Sequence, residues 1–261
     1  MPLSSLLILG LTTGLLITRQ SAQKSTYTPS PLVAYCHALE QHDYPHAYLT
    51  LSPATQQQVL VDEYLAGMQA LDKLQGPITL CEMNAHFPIP LSSAAEVPLR
   101  ITRAQHPTVQ LLATLLPKQN GGWTIEHILE PLFFPLVTTT SYCSFLQQGE
   151  FTSAYTLLSQ AGQTSFSSPT IYHDDVLQTQ HVLGVLLTCT LQRVTQNTAQ
   201  HTVSIGLGMS FVHFGNVPAR IDIDMLSSSP SVQACFLFIG SLALPFPIPV
   251  DQLGTILGTS S

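Results

Sequence analysis

The chain has 261 residues, enough for one large domain or two domains of ordinary size, and 45% of them are apolar. Only 9% are charged, and the net charge is −7 with eight Lys and Arg residues spread singly along the chain. Because nucleic-acid binding needs clustered basic residues to neutralise phosphates, the composition excludes that class of function.

The first element in chain order is an uncharged apolar segment over residues 3–18. It is shorter than the roughly 20 residues of a membrane-spanning helix, and no basic residue precedes it. Arg19 and Lys24 follow it and favour a cytoplasmic location for the C-terminal side. We expect a signal or anchor segment over residues 1–18 and a polar linker over 19–30; a buried first helix is the alternative.

Helical patterning follows from residue 31. Asp43 is predicted to cap a short second helix, and Ser52 is predicted to cap a third. A further helix begins at Asp62 and runs to Leu74, where the Gly-Pro pair at residues 76–77 stops it.

Three histidines lie in these first helices, at His37, His42 and His46. Histidines four residues apart on one helix face can share a metal ion. Asp43 and Pro45 predict a helix break between the first and the last of them, so we interpret all three as exposed polar residues and expect no metal site.

Strands follow the helices. Residues 97–103 alternate apolar with polar side chains, and residues 108–116 are mostly apolar. An Asn-Gly-Gly hairpin signal at 120–122 leads into a last strand over 123–129. Helices followed by three or four antiparallel strands predict an α+β fold, with the helices packed on one face of a curved antiparallel sheet.

The chain contains an internal duplication. Residues 35–52 (YCHALEQHDYPHAYLTLS) match residues 142–159 (YCSFLQQGEFTSAYTLLS) at a constant offset of 107, and residues 76–83 match 184–191 at an offset of 108. We also align the strand 123–129 with residues 219–226. The duplication predicts two tandem domains over residues 31–130 and 141–241. A linker over 131–140 would join them, and a Pro-containing tail would cover 242–261.

The five cysteines follow the duplication. Cys36 and Cys143 lie on the first helix of each half, and Cys81 and Cys189 lie on the first strand. This symmetric placement predicts the disulfides Cys36–Cys81 and Cys143–Cys189 and leaves Cys235 single; free buried thiols are the alternative. Disulfides persist in oxidising compartments, so the pairing predicts an extracytoplasmic protein. No Cys/His group has the spacing of a metal site, and we expect no metal and no cofactor.

Four motifs carry a family resemblance. They are a helix with Tyr-Cys-x-x-Leu, a segment Asp/Glu-aromatic-x-x-Ala-Tyr-x-x-Leu-Ser, a glycine-led strand with a cysteine, and a closing Gly-Trp-x-Ile strand. Together they resemble bacterial extracytoplasmic members of the nuclear transport factor 2-like superfamily, closely over 31–130 and less closely over 138–226. The resemblance implies two cone-like domains, each with a pocket between helices and sheet. Members of that superfamily include isomerases, dehydratases and non-catalytic binding domains.

Five residues are candidates for the implied pocket. His127 shares a strand face with Trp123 and could act as acid, base or hydrogen-bond donor to a ligand. His213 is assigned to the apolar face of its own strand, over residues 203–213. Tyr48 and Tyr155 recur at equivalent positions and could line a pocket through their hydroxyls. The alternative for each of the five is a core or rim residue whose polar atoms bond within the fold.

No nucleotide-binding loop or nucleophile motif is present in the sequence. We therefore expect an exported or membrane-anchored, non-catalytic binding or accessory protein. It would bind a small apolar ligand or a cell-envelope partner, and its N-terminal segment would attach it to the membrane. The alternative is an isomerase or hydro-lyase in the first domain, with His127 and Tyr48 as its catalytic residues.

Overall fold

A computed structural model describes residues 31–83, 94–118, 121–197, 199–225, 230–249 and 252–253, and it describes His127 by its backbone alone. The predicted signal or anchor over 1–18 and the linker over 19–30 lie outside these residues. Within the described ranges, no helix combines the length and apolar character that crossing a membrane requires.

In the described residues, the first half has four helices followed by four strands. The helices are α1 (Pro31–Glu40), α2 (Tyr44–Leu49), α3 (Pro53–Gln58) and α4 (Val61–Gln75). The strands are β1 (Ile78–Met83), β2 (Ala95–Arg103), β3 (His106–Pro117) and β4 (Trp123–His127). They form one antiparallel sheet in the order β1-β2-β3-β4.

The second half repeats this order and adds one strand. Its helices are α5 (Phe133–Gln148), α6 (Phe151–Thr156), α7 (Gln160–Ser165) and α8 (Pro169–Leu183). Its strands are β5 (Leu186–Asn197), β6 (Thr202–Phe211), β7 (Gly215–Asp224), β8 (Ser231–Ile239) and β9 (Leu242–Pro245), again antiparallel and in chain order. The predicted α+β class, with helices packed on antiparallel sheets in two units, is confirmed.

The helix starts follow from short polar side chains. The carboxylate of Asp43 accepts a hydrogen bond from the backbone N–H of His46, and Ser52 accepts one from the N–H of Thr55. Ser159, the duplicate of Ser52, caps α7 in the same way. These side chains satisfy N–H groups that the first helical turn leaves without a partner.

Both predicted disulfides are confirmed. Cys36 of α1 is bonded to Cys81 of β1, with the two Cα atoms 5.2 Å apart. Cys143 of α5 is bonded to Cys189 of β5, with the Cα atoms 6.0 Å apart. Cys235 is free and buried. Each bridge ties the first helix of a half to the edge strand of its sheet.

The sequence alignment of the last strands is corrected by the topology. Leu51 forms a parallel bridge with Ile125 of β4, and its duplicate Leu158 forms the same bridge with Val232 of β8. Both strands also carry a register shift one residue further on. The counterpart of residues 123–129 is therefore β8, whereas residues 219–226 lie mainly in β7, the third strand of their sheet.

The predicted linker over 131–140 is mostly helical, because α5 begins at Phe133. The Phe133 ring is fully buried against Tyr64, with ring centroids 5.7 Å apart. Its position depends on Gly67, where an added Cβ would lie 2.6 Å from the ring. The junction is thus packed into the first half. The predicted tail likewise contributes β9, and Phe246 and Ile248 are buried beyond it.

Candidate functional site

The two repeated tyrosines hold the scaffold. The hydroxyl of Tyr48 lies 3.1 Å from the carbonyl oxygen of Gln56 and 3.0 Å from that of Val59. Tyr155 donates to the carbonyl of Gln163 at 3.3 Å. A carbonyl can only accept, so both hydroxyls act as donors to the third helix of each half, and Tyr48 also donates to the residue at the C-terminal end of that helix.

A repeated glutamine completes this arrangement. The side-chain amide of Gln56 donates to the carbonyls of Tyr48 and Leu51, and Gln163 donates to those of Tyr155 and Leu158. Sequence comparison missed this pair, although its offset of 107 could have revealed it.

The strand candidates do not form a common site in the described residues. Trp123 is half-buried at the start of β4, opposite Pro117. The backbone of His127 pairs with Thr114 of β3, and its side chain lies outside the described part. His213 is an exposed residue of the turn between β6 and β7. Its assignment to an apolar strand face was wrong, because β6 ends at Phe211.

The three helix histidines are exposed. The Nδ1 atom of His46 lies 2.5 Å from a carboxylate oxygen of its own helix cap, Asp43. His42 has a positive φ of 56°, and its duplicate is Gly149 with a φ of 74°. Among the described residues no group of three His, Cys, Asp or Glu side chains could hold a metal ion.

Two buried tyrosine pairs form the centre of each half. The hydroxyls of Tyr35 and Tyr64 lie 3.2 Å apart, and those of Tyr142 and Tyr172 lie 2.9 Å apart. Burial raises the pKa of all four phenols well above the ordinary value of 10.0. The pairs satisfy each other's hydroxyls, which buried tyrosines require.

A buried ion cluster lies at one end of the first half. The guanidinium of Arg103 contacts Glu130 through its Nη2 atom at 2.6 Å and Asp72 through its Nη1 atom at 2.7 Å. Nη1 also donates to the carbonyl of Gly76 at 2.9 Å. The hydroxyl of Tyr44 donates to the second oxygen of Asp72.

Burial alone would lower the pKa of the Arg103 guanidinium, but hydrogen bonds to Glu130 and Asp72 and their charges outweigh this and raise it. The side chains of Arg103 and Glu130 are only 1% and 5% exposed. Because Arg103 and Glu130 are closed off from solvent, Asp72 is only partly exposed, and the charges are paired with each other, the cluster is suited to fixing α4 against β2, and it offers a ligand little access.

One cavity of the described residues lies where the first half ends and the second sheet begins, with a volume of about 360 Å³. Its lining residues come from the junction and from the ends of β5, β6 and β7: Pro131, Gln196, Asn197, His201, Thr202, Val203 and Met225. The backbone N–H of Met225 donates to the carbonyl of His201 at 3.0 Å and closes this end of the sheet. We call this space the junction cleft.

A second cavity of about 250 Å³ adjoins the junction cleft. Gln196 lines both, and Leu132 lines the second as its neighbour Pro131 lines the first. The remaining lining residues are Leu74, Gln75, His106 and Val194. We call this space the side cavity.

One residue that lines the side cavity carries an unsatisfied polar atom. Gln75 is 5% exposed, and its Oε1 atom finds no hydrogen-bond donor within the described parts of the chain. Leaving such a buried acceptor unpaired costs about 1–3 kcal/mol of folding free energy. Its counterpart at an offset of 108 is Leu183, which is fully buried and apolar. The fold itself does not need an amide at this position.

The site residues that the sequence nominated are thus distributed over scaffold, turn and strand, whereas the junction cleft lies between the halves. Domain junctions are a common place for ligand sites, because neither domain fills the space alone. Comparisons with protein-family models, with curated proteins and with solved structures find no match for this chain.

Proposed function

We propose that the chain is an extracytoplasmic, non-catalytic binding protein that takes a small, largely apolar ligand into the junction cleft. The observation that carries the proposal is the open cavity of about 360 Å³ beside Pro131, Val203 and Met225. Small-molecule pockets span roughly 300–1,000 Å³ and combine apolar walls with a few polar groups. Gln196, Asn197 and His201 supply such groups at the rim of this cavity.

Two disulfides support the extracytoplasmic location, since thiols in the cytosol are kept reduced. Attachment to a membrane through residues 1–18, and membership of the nuclear transport factor 2-like superfamily, remain part of the proposal. The order of four helices and then an antiparallel sheet in each half is compatible with that family resemblance.

The enzymatic alternative relies on Tyr48 as a catalytic group. Its hydroxyl is directed at two backbone carbonyls, so it is engaged by the last turn of α3 and the residue that follows it. No observation on the described residues favours this reading over the binding function.

The test is a titration of the full chain with N-phenyl-1-naphthylamine, a dye that becomes fluorescent in apolar sites. Exciting Trp123, the single tryptophan, and recording energy transfer to the dye selects for dye held on the protein. We expect saturable binding that Met225→Arg weakens at least about tenfold, because a long charged side chain would occupy the cleft and replace part of its apolar wall.

The matched control is Leu187→Arg. Leu187 belongs to an exposed apolar cluster with Val185, Val212 and Phe214, which is the competing place for an apolar dye. Binding that follows Leu187→Arg and ignores Met225→Arg, or binding absent from the wild-type chain, would refute the proposed function.

A further inference from the structure

Resting on the proposed function, we infer that the ligand is an amphiphile whose head group donates a hydrogen bond, such as an alkyl chain with a hydroxyl or a primary amine. The alkyl body occupies the junction cleft. The head passes Gln196 into the side cavity and donates to the Oε1 atom of Gln75.

The first reason is the unpaired acceptor. Gln75 is only 5% exposed, and no hydrogen-bond donor of the described chain lies within reach of its Oε1 atom. A carbonyl oxygen can only accept, so the group that completes it must carry an N–H or O–H. A purely apolar ligand would leave this acceptor unpaired.

The second reason is the composition of the side cavity. Leu74, Leu132 and Val194 give it apolar walls, and its volume of about 250 Å³ suits a head group and the first carbons of a chain. His106 stands at its rim with Nδ1 lying 3.2 Å from the carbonyl oxygen of Pro107. Since that carbonyl can only accept, Nδ1 is the donor in this contact.

The third reason is the duplicate. The position equivalent to Gln75 is occupied by Leu183. In both halves the backbone carbonyl of this residue accepts a hydrogen bond from a backbone N–H, that of Gln105 in the first half and that of His213 in the second. The backbone role is therefore the same with either side chain. What differs is the side chain, which in the first half lines a cavity and carries an unpaired acceptor.

The experiment measures displacement of N-phenyl-1-naphthylamine from the full chain by 1-octanol and by octyl methyl ether. The two probes share an alkyl chain, but only the alcohol donates a hydrogen bond. We expect the wild-type chain to favour the alcohol over the ether by about tenfold more than Gln75→Leu does, which corresponds to about 1.4 kcal/mol. Gln75→Glu keeps an acceptor and should retain the preference.

A thermal readout accompanies the binding. Without ligand, Gln75→Leu should raise the midpoint of unfolding by about 2–4 °C, because it removes a buried acceptor without a partner. Gln75→Met, which is closer in shape, serves if the leucine variant does not fold.

The outcomes separate the two proposals. If the dye does not bind the wild-type chain, the proposed function fails and this inference with it. If the dye binds but the alcohol-to-ether ratio is the same in wild type and Gln75→Leu, only this inference is overturned. A preference for the ether that disappears in Gln75→Leu would overturn it as well, because the ligand would then be an acceptor. A lowered unfolding midpoint in Gln75→Leu would mean that Oε1 is bonded within the fold.

Discussion

The two halves share a scaffold and differ at one end of their cores. Both have a helix-to-strand disulfide, a buried tyrosine pair, a serine cap and a bridge from the segment after the second helix to the fourth strand. These common features occur at offsets of 107 or 108, although the residues between them have diverged. The scaffold therefore defines the fold of each half.

The difference concerns four positions. The first half has the ion cluster, whose residues are Tyr44, Asp72, Arg103 and Glu130. The offsets place Phe151, Gln180, Phe211 and Leu237 at the equivalent positions of the second half. Three of these four are buried apolar residues.

The comparison shows that the charged side chains form one set, which is present in the first half and absent from the second. Where the guanidinium is absent, its carboxylate partner is absent, and the tyrosine that bonds the second carboxylate is a phenylalanine. A buried ion pair and an apolar pair of similar volume can be nearly equal in stability, whereas an unpaired buried charge is strongly destabilising. The same fold thus accommodates either complete set.

The largest expected effect on stability comes from Arg103→Met, which disrupts the ion cluster of the first half. Glu130 would be left as a buried carboxylate without its partner, and we expect the free energy of unfolding to fall by about 3–5 kcal/mol. Chemical denaturation measures this. The control is Arg100→Met, an arginine on the exposed part of the same strand that lies 3.7 Å from Glu82; it should cost less than about 1 kcal/mol.

Removing each disulfide in turn tests whether the two bridges stabilise their halves equally. Cys36→Ala with Cys81→Ala, and Cys143→Ala with Cys189→Ala, should each lower the free energy of unfolding by about 2–4 kcal/mol. The two losses should agree within about 1 kcal/mol, because the sequence separations are 45 and 46 residues. Intact-mass analysis with and without reductant checks the pairing. Five free thiols in the native chain would contradict it.

The tyrosine pairs predict an alkaline loss of stability. Their folded pKa values lie above 10.0, so above pH 10 the unfolded chain releases phenolic protons that the folded chain retains. Their contribution is complete below that pH and is lost as the pH rises, by about 1.4 kcal/mol per pH unit for each tyrosine. Denaturation between pH 10 and 11 should show a slope that Tyr64→Phe and Tyr172→Phe reduce equally. Equal slopes in wild type and both variants would refute the role of the pairs.

The serine caps should give the smallest effect. Ser52→Ala and Ser159→Ala each remove one hydrogen bond to a helix N-terminus, and we expect a loss of about 1 kcal/mol for each in denaturation. Ser165→Ala, at an exposed position near the end of α7, is the control and should be close to neutral. A loss of stability in only one of the two serine variants would show that the shared serine cap does not stabilise both halves equally.

Much of this scaffold was predictable because the duplication shows which residues the fold repeats. The disulfides followed from cysteines repeated at offsets of 107 and 108, and the Ser52 cap followed from the helix start signal at that serine. The strand alignment was less secure, because every half-buried strand alternates with a period of two. Residues 123–129 therefore matched β7 as readily as their structural counterpart β8.

The sequence could predict the buried arginine of the ion cluster but not its carboxylate partner. Arg103 has the same parity as Val97, Leu99 and Ile101, so it lies on the buried face and requires a carboxylate. Which carboxylate depends on how the end of the first half folds back, and no local pattern specifies that.

The junction cleft was not predictable at all. Its walls come from residue 131, from the ends of three strands and, through the side cavity, from the end of α4. Their proximity is a result of how the two halves pack, which local periodicity does not encode.

The central claim is that the ion cluster is one of two complete sets that the same scaffold accepts. The direct measurement is the free energy of unfolding of a variant that carries Tyr44→Phe, Asp72→Gln, Arg103→Phe and Glu130→Leu, compared with Arg103→Phe alone. We predict that the fourfold variant lies within about 2 kcal/mol of wild type and recovers most of the loss of the single variant. A fourfold variant less stable than Arg103→Phe alone would contradict the claim.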